Sequence, residues 1–98
     1  MNTYMVIIKL PGKLTEDFIT LIPRQRARID ELMNEGVILQ YSLSLDRSLL
    51  WVIVSATTER KVLDIISTFP LIHFMNPTVY PLAFHHSHSI DFPKLIMN

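Results

Sequence analysis

The chain predicts an α+β domain in which an antiparallel four-stranded sheet carries two helices on one face, in the order β-α-β-β-α-β. Three observations predict it. Four short runs rich in β-branched and aromatic residues are interleaved with two segments of helical apolar spacing. Only Asp46-Arg47-Ser48 separates the two middle runs, as in a hairpin. Pro81 lies inside the last run, and a missing backbone donor confines that strand to an edge.

At 98 residues the chain is read as one domain, 1–98, too small to cover much apolar surface by itself. Hydrophobic residues make up 49% of it and charged residues only 18%, below the usual share of about 25%. The excess apolar surface predicts a homodimer or higher homo-oligomer. Nine basic residues balance nine acidic ones, so no general field favours nucleic acid or an anionic membrane as partner. The absence of cysteine excludes thiol nucleophiles and thiolate metal sites, and fits a cytoplasmic protein. No apolar run approaches the length of about 18 residues that a membrane span needs, and Tyr4 to Ile8 is too short for a secretory leader.

Residues 3–10, TYMVIIKL, form a strand stopped by Pro11-Gly12. Tyr4, Val6, Ile8 and Leu10 face one way and Met5 and Ile7 the other, so both faces need a cover. Thr15 then caps a helix, with Glu16 and Asp17 in the first turn where the backbone dipole favours acids. Its apolar stripe runs through Phe18, Leu21, Ile22, Ile29, Leu32 and Met33 to Gly36, a residue suited to the left-handed position after a helix. Pro23 predicts a kink, or a short helix followed by a second. Gln25 falls on the stripe and is predicted to face inward, where an amide needs partners: backbone, water or a ligand. Arg26 with Asp30, and Arg28 with Glu31, are spaced to pair on the outer face, and Arg26 is a further candidate for a substrate carboxylate.

Residues 37–45 alternate, with Val37, Leu39, Tyr41, Leu43 and Leu45 on one side and Gln40, Ser42 and Ser44 on the other. Residues 49–56, LLWVIVSA, are apolar on both faces, which predicts a central strand covered by helices on one side and a partner on the other. Thr57 or Thr58 caps the second helix, which Pro70 ends. The fourth strand is TVYPLAF, 78–84. His86 and His88 would share one side of an extended chain, but a tight site needs a third ligand, with His73 and Asp91 as the candidates, and neither metal nor cofactor is predicted. Phe92, Leu95, Ile96 and Met97 make residues 85–98 an apolar tail expected to pack on a partner subunit.

Pro70-Leu71-x-x-Phe74-Met75, followed by Val79-x-x-Leu82 and a histidine with Ser87, resembles the C-terminal signature of the muconolactone isomerase family. Lys9-Leu10-Pro11, Leu32 and Glu35-Gly36 extend the resemblance over nearly the whole chain. It implies a ferredoxin-like dimeric α+β barrel, an intramolecular proton shift on an unsaturated lactone, and a tail in which His85 reaches a neighbouring pocket. The glutamate that serves as base in the family is replaced here by Gln25, and the family's Leu-Trp-Arg by Tyr41-Ser42-Leu43. An amide cannot take a proton from carbon. Two readings follow. One is an isomerase or lyase of a small unsaturated lactone or cyclic acid, with His85 as acid or base and Gln25, Tyr41 and Ser42 positioning the ligand. The other is a non-catalytic binding or assembly module of the same fold. Trp51 and Phe74 are pocket walls or core in either case.

Overall fold

A computed structural model describes residues 1–88. Strand β1 (Asn2–Lys9) leads to helix α1 (Glu16–Asn34). A hairpin of β2 (Ile38–Leu43) and β3 (Leu49–Ala56) follows, then helix α2 (Glu59–Ile66), a 3-10 turn at Ile72–Phe74, and β4 (Asn76–Pro81). The sheet order is β2-β3-β1-β4, and every pairing is antiparallel. This is the predicted ferredoxin-like arrangement, with the proline-bearing β4 at an edge. The tail residues Asp91, Phe92, Leu95, Ile96 and Met97 lie outside the described residues. Among the described residues, no helix is long and apolar enough to cross a membrane.

Each helix starts where a hydroxyl accepts an otherwise unpaired backbone N–H. Thr15 Oγ1 accepts from Phe18 N at 3.2 Å, and Thr58 Oγ1, rather than Thr57, accepts from Lys61 N at 3.2 Å. Helix α1 closes on Gly36 at φ +75°. There Gly36 N donates to Met33 O at 3.0 Å and Val37 N to Leu32 O at 2.9 Å, the paired bonds of a Schellman motif.

Pro23 does not divide α1 into a short helix and a second one, as one of the two sequence expectations had it; one helix runs through it. Pro23 and Ile19, whose carbonyl loses its helical donor, are both exposed, so water can serve that oxygen. Buried Phe18 on one side and Ile29 and Leu32 on the other hold both halves to the same core. The pairing of Arg28 with Glu31 forms, while among the described residues Arg26 makes no ion pair with Asp30.

The strict alternation expected of 37–45 also fails. Ile38 pairs with Val54 but Gln40 pairs with Ile53, which leaves Leu39 as the extra residue of a β-bulge. Ile38 is therefore the buried residue and Leu39 is exposed. Strand β4 is displaced too, starting at Asn76 and ending at Pro81 instead of spanning 78–84. Leu82 continues only as far as a 3.0 Å bond from its N–H to Thr3 O.

The core lies between the sheet and the two helices. Tyr4, Val6 and Ile8 of β1 and Leu50, Val52 and Val54 of β3 face Ile29 and Leu32 of α1 and Val62 and Ile66 of α2, all buried. The other face of the sheet carries Met5, Ile7, Trp51, Ile53 and Tyr80 in adjacent cross-strand rows.

Candidate functional site

The helical stripe of α1 meets the edge of the sheet at a cleft of about 170 Å³. Phe18, Ile22 and Gln25 line it from the helix, Tyr41 and Leu50 from the hairpin, and Leu71 from the segment after α2. The walls are mostly apolar, and an apolar cavity of roughly 150 Å³ is enough to admit a benzene ring. The space is thus of single-ring size.

Gln25 is the buried polar residue of the core, at 4% exposure. Its Oε1 accepts from the Leu71 backbone N–H at 3.1 Å, so the amide ties α1 to the chain beyond α2. This bond also fixes the orientation of the amide, because the flipped form would set two donors against each other. Among the described residues its Nε2 has no hydrogen-bond partner, an expensive condition for a buried donor. Backbone thus satisfies only half of this side chain.

Tyr41 reaches the same place because of the bulge. Were Leu39 paired in the ladder, regular pairing from Ile38–Val54 would set Tyr41 opposite Trp51, on the far face of the sheet. With Leu39 bulged out of the pairing, Tyr41 pairs with Val52 and turns toward the helices. Burial pushes its phenol pKa up, and the Gln25 amide beside it pulls partly the other way without closing a hydrogen bond. Tyr41 therefore stays protonated and is available as a donor at neutral pH.

Arg26 from α1 and Arg47 from the β2–β3 turn complete the polar lining, and both are exposed. Arg47 stands at φ 64°, a left-handed conformation at the turn. Among the described residues neither guanidinium makes an ion pair. Among the described residues, Asp, Glu and His are absent from the lining, so these residues offer donors and positive charge but no group to accept a proton from carbon near neutral pH.

The predicted site residues divide between the faces of the sheet. Gln25 and Tyr41 come together in the cleft. Phe74 supports it, packing edge-on at 5.3 Å against the wall residue Phe18. Ser42 and Trp51 pair with one another on the opposite face, away from Gln25. His85 is half-buried beyond β4 and does not line the cleft of its own chain. Among the described residues no group of three His, Asp or Glu side chains is placed to hold a metal. Arg47 and Leu71 were not anticipated. Arg47 gave a signal only as a turn residue, and Leu71 contributes a backbone N–H that any residue type would supply.

The sequence model of the muconolactone delta-isomerase family matches residues 4–88. No curated protein is significantly similar to the chain in sequence. Among solved structures, the fold is similar to 5-chloro-2-hydroxyhydroquinone dehydrochlorinase from Burkholderia phenoliruptrix AC1100, in complex with 2,5-dihydroxybenzoquinone. The TM-score is 0.68 at 13% identity, over 87% of this chain and 95% of that one.

Proposed function

The chain belongs to the muconolactone delta-isomerase family, and on that basis we propose that its cleft binds a small unsaturated lactone or cyclic acid without itself supplying the base. The observation that carries this reading is Gln25: a buried amide with an unpaired Nε2, lining an apolar cleft of single-ring size. A ligand carbonyl or carboxylate would satisfy that donor and the Tyr41 hydroxyl, and its remaining charge would face Arg26 and Arg47. The ring ligand of the structurally similar dehydrochlorinase fits the same scale.

A second reading, a working isomerase, is favoured by the position of His85, four residues beyond the end of β4 and half-buried. It requires His85 of one chain to act as acid or base in the cleft of another. We propose such an assembly through the exposed sheet face, whose Met5, Ile7, Trp51 and Tyr80 form an apolar surface suited to a second copy.

Hydrogen exchange on muconolactone in deuterated water, followed by NMR, separates the readings. The binding reading expects no exchange with wild type and exchange with Gln25→Glu, where a carboxylate restores a base. Exchange by wild type that vanishes in His85→Ala would overturn it in favour of the isomerase.

A further inference from the structure

The polar groups of the cleft share one property: each can donate. The Leu71 N–H occupies Gln25 Oε1 and leaves Nε2 as the part of the amide open to a ligand. Tyr41 retains its proton, and Arg26 and Arg47 have no accepting atoms. A neutral hydroxyl placed between Gln25 and Tyr41 could accept from both only by turning its own proton toward the apolar walls, or else must spend that proton on the Tyr41 oxygen, and either way its bonds are neutral ones. The same oxygen without its proton would accept from both, in an apolar setting that strengthens charge-assisted bonds.

We propose that the Gln25–Tyr41 pair is a binding site for a ring-borne oxyanion, so that the cleft takes the ionised form of a single-ring enol or phenol in preference to the neutral form. The inference rests on the ligand-binding reading above and narrows its chemistry. The bound oxygen accepts from Gln25 Nε2 and Tyr41 Oη, and its lost proton goes to solvent. Gln25 is the selective element, since substitution by glutamate would keep an acceptor for Leu71 N–H while presenting a carboxylate to the ligand. Tyr41 owes its place in the pair to Leu39 standing out of the ladder.

4-Nitrophenol, which turns yellow on ionisation, is the probe. Titrated with the full chain across its ionisation range, the bound dye is expected to ionise about one pKa unit below the free dye, a roughly tenfold preference for the anion. Tyr41→Phe should reduce that preference, and Gln25→Glu should reverse it, with circular dichroism confirming that both variants are folded. A bound dye with an unchanged or raised pKa, or a folded Gln25→Glu variant that still prefers the anion, would overturn the inference. If muconolactone binds in the cleft while the dye shows no preference for its anion, the inference fails and the ligand-binding reading stands. If neither compound binds, both fail.

Discussion

The two faces of the sheet are built from alternate residues of the same strands, yet they are finished differently. On the helix side, Val6, Val52 and Val54 are fully buried, and one polar group, Gln25, interrupts the apolar packing. On the other side Trp51 is 36% exposed and Tyr80 49%, and among the described residues no helix packs there. The difference teaches that apolar composition alone does not mark a site. The richer apolar surface is the open face, where flat cross-strand rows suit another sheet. The concave, polar-floored space is on the closed face, where one amide and one bulge disturb an otherwise filled core.

Neighbouring positions in β3 give the largest contrast. Val52→Asp would bury an unpaired charge and is expected to cost more than about 4 kcal/mol, enough to unfold a domain of this size in a urea titration. Trp51→Asp, one residue away on the open face, should leave a folded chain and shift sedimentation toward monomer. A folded Val52→Asp, or an unfolded Trp51→Asp, would break the comparison.

Deleting Leu39 tests the register that aims Tyr41. With Leu39 gone, Ile38, Gln40 and Tyr41 would pair in regular succession with Val54, Ile53 and Val52, so Tyr41 should stay on the helix face and cleft binding should persist, at a cost of roughly 1 to 3 kcal/mol from the lost local twist. Ligand titration beside chemical denaturation measures both effects. Loss of binding by a folded deletion variant would contradict that register.

Gln25→Leu sharpens the contrast at the floor itself. It removes the acceptor for the buried Leu71 N–H, at a cost of about 1 to 3 kcal/mol, offset in part because the unpaired Nε2 disappears as well. Gln25→Glu keeps the acceptor and should lose less, which a pair of urea curves would show.

The smallest effect lies at the hairpin turn. The Ser48 and Ser44 hydroxyls and the Ser48 backbone N–H hold Asp46 at about 2, below its ordinary 3.8. A depressed folded-state value stabilises the protein above the unfolded value and is lost as pH falls from 3.8 through about 2. Asp46→Asn should flatten the pH dependence of unfolding in that window and leave it unchanged at pH 7.

The order of elements was legible because apolar period and punctuation agreed: Thr15, Gly36 and Pro81 mark element ends or an edge where the structure has them, whereas α2 ends at Ile66, ahead of Pro70. Gln25 was legible as a break in a stripe. Trp51 was not, because β3 is apolar on both faces and period two cannot say which one meets the helices. Adjacent Ile38 and Leu39 likewise hid the bulge, since either can face the core and only pairing with β3 decides. The role of Leu71 was unreadable because it depends on a backbone group. The continuity of α1 through Pro23 was not legible, because burial on both sides of it outweighs local propensity.

The most direct test of the account is an NMR titration of uniformly nitrogen-15-labelled protein with muconolactone. The side-chain amide of Gln25 and the backbone amide of Leu71 should shift together and saturate, while the Trp51 indole signal stays in place. Movement of the Trp51 indole with Gln25 and Leu71 unmoved would put the ligand on the open face and contradict the account.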